Sequence, residues 1–338
     1  MTRVAIIADV RGWAFDHIAR GIQRHNRDPG VEIDLFYELE LRHERNTVAS
    51  IADYDVVYPF SLFQANFLRR HHPELNGRYI ATVHMGPLGG NGYPGGRPPS
   101  VNCYGHVLFE AAAAAGRLSV VSPRLQSIWR TVRDDVAYLR VGVEPTIFYP
   151  PPRGGRFMPP LRVGWVGNPG KPYKRFGLVE QVCDLPGVEL RLAAWSSGWG
   201  KPRSRVPRTL KEMGDFYRSI DVLLCMSDHE GLPTPALEAA ACGVPIVSVD
   251  VGVIRELVED GVTGFVVEQT AEAARERLEY LRDHAEERLA MGRRIYERGC
   301  ARYWPYVVGD WAGFIKGEEV HHDRGSVPGM ATADMAGG

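Results

Sequence analysis

Short apolar runs rich in β-branched residues alternate with stretches of helical spacing along most of the chain. Strands separated by helices in this way are typical of βαβ units around a parallel sheet. The pattern therefore predicts an α/β chain. The predicted strands are residues 4–8, 31–37, 55–59, 79–83, 118–122, 161–166, 189–193, 221–226, 245–249 and 264–267, and the predicted helices are 15–25 and 111–116 and those that begin at Leu178, Leu210, Pro235 and Ile254.

The alternation is interrupted once, by YPPPRGGRFMPP at residues 149–160. A segment this rich in proline is stiff and extended and does not form a helix or a central strand. We expect an interdomain linker there, and 338 residues suit two domains. Open sheets bind ligands beyond the carboxyl ends of their strands, so two such domains would form a cleft.

Composition excludes several other classes of protein. Lys and Arg total 40 against 41 Asp and Glu, so no basic excess points to nucleic acid. The five cysteines are widely spaced and lack metal-ligand intervals, which favours reduced thiols in a cytoplasm. The first residues, MTRVAIIADVRGW, read as a core strand and not as a signal peptide. No apolar stretch reaches the roughly 20 residues of a membrane span, so any membrane contact would be peripheral.

The segment SDHEGLPTPALEAAACG, residues 227–243, places Glu230 and Glu238 on either side of a stiff turn. An apolar run precedes it, and Thr234 followed by proline predicts a helix start with the hydroxyl at the N-cap. Gly243 is a typical residue just beyond a helix. The N–H groups and dipole of such a helix N-terminus favour a phosphate, and Gly231 lets the backbone approach closely.

A carboxylate beside a phosphate site needs a separate role, because the two like charges repel each other. Accepting hydrogen bonds from a cis-diol, as on a ribose, is one such role. The alternative for Glu238 is an acid that merely suits the dipole in the first turn of a helix. The residues alone leave both interpretations open.

Glu230, seven intervening residues and Glu238 resemble the signature of the glycosyl transferases group 1 family (family 4), which are retaining enzymes with the GT-B fold. The resemblance continues over ACGVPIVSVDVGVIRELVEDGVTGFVVE at residues 241–268 and covers most of residues 120–315. It implies two Rossmann-like doubly wound domains that face an interdomain cleft. The other similar segments are VSPRLQ at 121–126, VGVEPTIFYP at 141–150, VGWVGNPGKPYKRF at 163–176 and the crossover-helix segment ARYWPYVVGDW at 301–311.

The resemblance implies transfer of a hexose-type sugar from a UDP- or GDP-linked donor to an acceptor hydroxyl. Glu238 would hold the ribose hydroxyls, Glu230 would contact the donor sugar, and Lys174 would neutralise the leaving phosphate. Lysine and a helix N-terminus supply the positive charge, so the resemblance implies neither a metal nor another cofactor. The other donor-binding residues that it implies are Gly231, Leu232, Thr234, Gly167, Asn168, Lys171 and Arg175.

Asn168 departs from the family, which usually has an arginine after the glycine that corresponds to Gly167. Either Lys171 or Arg175 compensates, or diphosphate binding is weaker. The nearby turn is not a phosphate-binding P-loop, because Gly164 and Gly170 are separated by five residues and Pro172 follows the lysine.

The first domain would bind the acceptor, which the resemblance leaves open as a small molecule, a glycan or a lipid-linked sugar. Trp13 and Phe15 follow the first strand, where aromatic rings either stack on a sugar or cap the core. His84, at the end of a predicted strand, matches the family's histidine near the reacting centre. The loop GPLGGNGYPGGRPP at 86–99, which includes Gly89 and Gly90, is expected to cover the acceptor site.

The predicted organisation follows from these assignments. An acceptor domain would span residues 1–150, a linker 151–160, a nucleotide-sugar domain 161–299 and a crossover helix 300–316. Residues 317–338 lack periodicity and are expected to be disordered.

Two alternatives remain. The first is a nucleotide-binding GT-B protein without transfer activity. The second is a metal-dependent GT-A transferase that uses Asp53 and Asp55, which are formally a DxD motif. A dehydrogenase is disfavoured, because VGWVGNPG is not the GxGxxG fingerprint.

Overall fold

The computed structural model describes residues 1–12, 14–38, 51–75, 77–84, 103–151, 160–194, 204–205 and 209–320. Helices and strands alternate there, and the strand pairs are parallel, which confirms the predicted α/β class. The first half contains β1 (Thr2–Ala8), α1 (Ala14–His25), β2 (Val31–Tyr37), β3 (Val56–Pro59), α2 (Leu62–His71), β4 (Ile80–Val83), α3 (Cys103–Ala114), β5 (Arg117–Val120), α4 (Pro123–Trp129) and β6 (Val136–Tyr138). The second half contains β7 (Leu161–Gly167), α5 (Phe176–Cys183), β8 (Val188–Ala194), β9 (Ser204–Arg205), α6 (Leu210–Ser219), β10 (Val222–Cys225), α7 (Thr234–Ala241), β11 (Ile246–Ser248), α8 (Ile254–Leu257), β12 (Gly264–Val266), α9 (Ala271–Asp283), α10 (Ala285–Cys300) and α11 (Trp304–Lys316).

The strand order of each half determines where a ligand can bind. The second sheet has the order β12-β11-β10-β7-β8-β9, which reverses direction between β7 and β10. In the first half, β2-β1-β3 and β4-β5-β6 are joined by a parallel bridge between Val57 and Tyr79, and the order reverses between β1 and β3. Ligands of such sheets bind at these switch points, beyond the carboxyl ends of the strands.

The central strand of the second sheet shows why the sequence folds in this way. Every residue of β7, LRVGWVG, is buried, as expected for a parallel strand that is covered on both faces. Gly164 lies against Ile220, where a larger residue would overlap the isoleucine side chain. The apolar run and its glycine therefore place β7 in the middle of the sheet.

The last helix, α11, returns to the first half of the chain. The indole of Trp304 lies against Gly21 on α1 and against Gly142, and a Cβ atom at either glycine would overlap the ring. Trp311 Nε1 donates to the carbonyl of Arg140 at 2.9 Å. Two ion pairs also hold the helix, Arg140 with Asp310 in its middle at 3.0 Å and Lys316 at its end with Asp28 at 2.7 Å. Small residues on the first domain thus make room for the aromatic face of α11.

Several local predictions differ from the structure. Ser122 was assigned to a strand, but it is the N-cap of α4, where its hydroxyl accepts from the amide of Leu125 at 3.3 Å. Helix α5 begins at Phe176, two residues before the predicted start, and α3 extends well before its predicted start. The short strands β6 and β9 carry no clear apolar run and were not predicted.

Parts of two predicted segments can be compared with the structure. Most of the linker, residues 152–159, and most of the tail, residues 321–338, lie outside the described residues. Gly317 ends α11 with a positive φ of 84°, and the amide of Glu318 donates to Gly313 at 2.9 Å. The first residues of the tail therefore form a regular helix end.

Two further expectations concern the whole chain. The thiols of Cys183, Cys225, Cys242 and Cys300 are free. Among the described residues, none of the helices is both long enough and apolar enough to cross a membrane.

Replacing Gly21 with alanine should destabilise the protein, because the new methyl group would overlap the Trp304 ring. We expect a loss of about 1–3 kcal/mol in the free energy of unfolding, measured by urea titration. The matched control is Gly309→Ala on exposed α11 surface, where no atom lies within 4 Å of the new Cβ. That change should stabilise by about 0.5–1 kcal/mol. Equal effects of the two substitutions would contradict the tight fit of the indole.

Candidate active site

Lys174 and Glu230 form an ion pair at the switch point of the second sheet. Lys174 ends a short 3₁₀ turn, Pro172–Lys174, after β7, and Glu230 lies in the loop after β10. The Lys174 Nζ atom is 2.5 Å from Glu230 Oε1, and both side chains are mostly buried. Gly167 contributes space, because its Cα faces the Trp165 ring and the stem of Lys174. The fold thus brings together two predicted site residues that are 56 positions apart.

The environment of this pair keeps Lys174 charged. Burial by itself disfavours an ammonium group, but the neighbouring Glu230 carboxylate more than offsets that cost, and the pKa of Lys174 lies above its ordinary value. A buried ammonium on a flexible stem can turn from the carboxylate towards an incoming anion. Lys174 therefore keeps its positive charge at the edge of the sheet, balanced by the Glu230 carboxylate.

A second set of contacts joins the same two loops. The amide of Asp228 donates to the carbonyl of Tyr173 at 2.8 Å, and Arg175 Nε is 2.5 Å from Asp228 Oδ1. The rings of Tyr173 and His229 stack with centroids 4.6 Å apart. Gln269 also donates to Asp228, at 2.9 Å. These contacts hold Lys174 and Glu230, the next residue in each loop, in a fixed relation.

Arg175 has a backbone conformation that is rare for a residue with a side chain. Its φ of 50° and ψ of 41° place it in the left-handed region. Its own ion pair with Asp228 compensates part of the strain, which is about 1–3 kcal/mol for such residues. This conformation turns the chain from the 3₁₀ turn that ends at Lys174 into α5.

Glu238 lies on α7 and has a different partner. It is the fifth residue of the helix and is buried, and its carboxylate accepts a hydrogen bond from Tyr217 at 2.7 Å. Burial raises its pKa to about 7, although the Tyr217 hydrogen bond opposes the shift. The alternative interpretation of Glu238, as an acid in the first helical turn that only suits the helix dipole, is therefore wrong.

The start of α7 also differs from the prediction. Pro233 occupies the N-cap position without a side-chain hydrogen bond, and Thr234 is already the first helical residue. The amide of Thr234 donates to the carbonyl of Leu232 at 2.9 Å. Thr234 as a hydroxyl N-cap is therefore wrong, because Pro233 and Pro235 on either side close the turn tightly. The amide of Thr234 is therefore used within the loop itself.

Two other predicted donor residues, Lys171 and Arg175, line a separate cavity. An open cavity of about 520 Å³ lies beside α5, and Lys171, Arg175 and Gln269 line it. Lys174 and Glu230 instead line a small cavity of about 20 Å³ beneath the ion pair. Asn168 caps its own turn, since its side chain accepts from the amide of Gly170 at 2.9 Å. Lys171 and Arg175 thus line a different cavity from Lys174, although the Nζ atoms of Lys171 and Lys174 lie 5.9 Å and 5.7 Å from the centre of the Tyr173 ring.

On the first domain, His84 lies between two aromatic rings at the end of β4. Its ring is centred 4.4 Å from that of Phe15 and 6.2 Å from that of Phe60. Its Nε2 atom is buried and lacks a hydrogen-bond partner among the described residues, and burial lowers the pKa of His84 to about 3. The imidazole is therefore neutral, able to donate or accept one hydrogen bond. Trp13, Gly89 and Gly90 lie outside the described residues.

Sequence reasoning missed one acidic residue at this edge. Asp9 directly follows β1, at the switch point of the first half. Its Oδ1 atom is buried without a partner in the described part of the chain, and burial raises its pKa. The available signal was an acid immediately after the first core strand, which is where parallel sheets place ligand-binding groups.

The DxD residues lie at the wrong end of the sheet. Asp53 and Asp55 precede β3, so they are at its amino end, and Asp55 accepts from the amide of Arg3 at 2.8 Å. Within the described ranges, no cluster of three His, Cys, Asp or Glu side chains is arranged to hold a metal ion. These two aspartates are therefore remote from the cleft edge that holds Lys174 and His84.

Comparison with known proteins identifies the second domain. Residues 204–298 match the family model of the glycosyl transferases group 1. This segment is similar to that family. It includes Glu230 and Glu238, whereas Lys174 and His84 lie outside the matched residues.

Relatives of the group 1 segment match over short stretches. A D-inositol 3-phosphate glycosyltransferase of Streptosporangium roseum is 42% identical over 62 residues, which are 18% of this chain and 14% of the relative. A trehalose synthase of Pyrococcus horikoshii is 39% identical over 88 residues, 26% of this chain and 21% of the relative. The chain thus spans about a seventh to a fifth of the length of these relatives.

Solved structures are similar over nearly the whole chain. Sucrose-phosphate synthase from Thermosynechococcus elongatus superimposes with a TM-score of 0.80 at 14% identity and covers 94% of this chain and 99% of that chain. Anabaena HepE in complex with UDP and glucose gives a TM-score of 0.71 at 14% identity, with 94% and 100% covered. The chain has the GT-B fold, as the family resemblance implies.

Glu238 should make the stability of the protein depend on pH. Its raised pKa means that the folded state keeps a proton which the unfolded state releases near the ordinary value of 4.5. This contribution is present below about pH 4.5 and is lost as pH rises through about 7. In Glu238→Gln the loss is absent, so its stability relative to the wild type should increase by about 3 kcal/mol over that interval.

The measurement is urea unfolding from pH 4.5 to 8, with exposed Glu279→Gln as the control. The control should show a small difference from the wild type that changes little with pH. A difference for Glu238→Gln that stays constant across the interval would contradict a buried, protonated Glu238.

Proposed function

We propose that this chain is a retaining glycosyltransferase that moves a hexose-type sugar from a nucleoside diphosphate sugar to an acceptor hydroxyl. The observation that carries the proposal is the buried Lys174–Glu230 pair at the switch point of the second sheet, beside the N-terminus of α7. When the bond between the sugar and the diphosphate breaks, negative charge develops on the leaving phosphate. Lys174 is charged and already positioned to stabilise it.

Glu230 then has two roles in turn. In the structure its carboxylate accepts a hydrogen bond from the ammonium of Lys174 at 2.5 Å. With the donor bound, Lys174 turns to the diphosphate, and Glu230 accepts hydrogen bonds from the hydroxyls of the donor sugar. The adjacency of the two residues fits the adjacency of the sugar and the phosphate in the donor.

Glu238 is suited to the ribose of the nucleotide. A carboxylate accepts two hydrogen bonds from a cis-diol, which would replace part of the water that burial has removed. Tyr217 fixes its orientation through one oxygen atom and leaves the other available. The two glutamates thus serve different parts of one donor and are not an acid–base pair.

The first domain would supply the acceptor. The neutral imidazole of His84, with its buried Nε2, is suited to a hydrogen bond with a sugar hydroxyl, and Asp9 and Phe15 border the same sheet edge. We assign no separate protein nucleophile, and we propose that transfer retains the anomeric configuration without a metal. The acceptor is a small molecule, a glycan or a lipid-linked sugar, and a lipid-linked acceptor would require peripheral membrane contact.

The names of related proteins support this class of donor and acceptor. HepE is described with UDP, glucose and UDP-glucose, and S. aureus TarM with UDP and α-GlcNAc-glycerol. The curated relatives are named for an inositol phosphate acceptor and for trehalose synthesis. UDP-glucose is accordingly the first donor to test, with GDP-linked sugars next.

Donor binding should depend on Lys174 and much less on Lys171. We expect Lys174→Ala to weaken the binding of UDP, measured by calorimetry, by about ten- to a hundredfold, since it removes a charge-assisted contact. The matched control is Lys171→Ala, which removes an exposed lysine from the neighbouring cavity. Its effect should be less than about threefold. Equal losses would place the diphosphate beside Lys171 instead.

Transfer activity is tested by screening UDP-, GDP-, ADP- and TDP-sugars for thermal stabilisation and slow hydrolysis, with EDTA present. A donor that binds the folded state alone should raise the melting temperature and be consumed. Loss of activity in EDTA that a divalent ion restores would overturn metal independence. Binding of a nucleotide without consumption of its sugar would favour the alternative of a GT-B protein without transfer activity.

A further inference from the structure

Three polar side chains from three different parts of the chain meet at the boundary between the domains. The hydroxyl of Tyr138 on β6 lies 2.9 Å from both carboxylate oxygens of Glu256 on α8. Arg302, in the turn before α11, donates to Tyr138 at 2.8 Å and also to Glu256. Tyr138 and Arg302 are buried. The first domain, the second domain and the crossover are thus joined at one carboxylate.

The segment that carries Glu256 also contacts the proposed donor loop. Gly252, four residues earlier, has a φ of 54°, and a Cβ atom there would lie 2.5 Å from Cδ of Pro233. The same Cβ would be 3.1 Å from the carbonyl oxygen of Gly231 and 3.3 Å from that of Glu230. Only glycine allows this approach. The backbone of residues 249–253 is therefore seated directly against the turn between Glu230 and α7.

The same segment has a second contact with the first domain. Arg124 on α4 donates through Nη1 to the carbonyl of Asp250 at 2.8 Å. Contacts with the donor loop and contacts with the first domain thus alternate within one short stretch: Asp250, Gly252 and Glu256. A displacement of the donor loop would be transmitted through Gly252 to the groups that hold the first domain.

The crossover segment before α11 also contacts the first domain through its backbone. Backbone hydrogen bonds join Val143 of the first domain to the carbonyl of Arg302, at 2.8 Å, and the amide of Trp304 to the carbonyl of Val143, at 3.2 Å. Arg302 is therefore fixed relative to the first domain by its own backbone. Its guanidinium reaches Glu256 from that fixed position.

We propose that Glu256 is a positioning residue for sugar transfer, which sets the first domain, with His84, against the donor loop that holds Glu230. The inference rests on the proposed function, because it concerns how the two halves of that site are aligned. His84 lies on one domain and the Lys174–Glu230 pair on the other, so the reaction requires a fixed relation between them. A misplacement of about 1 Å between reacting groups can cost about a hundredfold in rate.

The cleanest test removes a single oxygen atom. Tyr138→Phe keeps the buried ring and deletes the hydrogen bond to Glu256, while the Glu256–Arg302 pair remains. The matched control is Tyr54→Phe, which deletes a hydrogen bond of the same kind, from Tyr54 to Asp34 at 2.7 Å, within the first domain. Glu256→Gln is the second variant, in which the charge opposite Arg302 is lost.

Three quantities are measured for each variant: kcat and KM for consumption of UDP-glucose, the affinity for UDP by calorimetry, and the radius of gyration by small-angle X-ray scattering. For Tyr138→Phe and Glu256→Gln we expect kcat to fall about tenfold or more, the loss expected for one charge-assisted hydrogen bond. The UDP affinity should stay within about twofold of the wild type, because all proposed nucleotide contacts lie in the second domain. Tyr54→Phe should leave all three quantities unchanged.

The outcomes separate this inference from the proposed function. A kcat equal to that of Tyr54→Phe in both variants would overturn the positioning role, and so would a parallel loss of UDP affinity. If the wild type consumes no nucleotide sugar, the proposed function fails on its own. A larger radius of gyration in both variants would further support a contact that sets the domain arrangement.

Discussion

The arrangement of the molecule depends on how the chain returns to the first domain after the second is complete. Trp304 enters a space that exists because Gly21 and Gly142 have no side chains, and the backbone on either side of it bonds to Val143. This contact fixes the edge of one sheet relative to the edge of the other, and the relative positions of the residues at the cleft depend on it. When a site is divided between two domains, the relative position of its two halves depends on the contact that holds the domains together.

Three buried ionisable groups near the cleft each have a dedicated partner. Lys174 is held by Glu230, Glu238 by Tyr217, and Arg302 by Glu256. A buried ion or carboxylate is costly unless it is paired, so each pair restricts where its members can go when a ligand arrives. In the proposed function the first two pairs serve the donor, whereas the third joins the two domains. Binding and alignment are thus carried by separate groups.

The sequence was most informative where the physical rule is local. Alternating strands and helices, the start of α1 and the glycine after α7 are all decided by neighbouring residues, and the structure has them close to the predicted positions. The predicted ends of helices and strands were wrong where another contact outweighed the local preference of the residue. Thr234 is not the N-cap of α7, because two prolines close the turn. Ser122 is not part of the strand, because its hydroxyl caps α4. The short strand β6 exists only because β5 lies beside it.

For the proposed site, the sequence by itself supplied the candidate residues: two glutamates at a fixed spacing, a lysine after β7 and a histidine after β4. Their partners were decided by the tertiary structure alone. Local spacing cannot show that Lys174 meets Glu230, that Tyr217 reaches Glu238, or that Asp9 Oδ1 is buried at a switch point without a partner among the described residues. The reason is that these contacts depend on strand order, and strand order is set by how whole elements pack and not by any short stretch of residues.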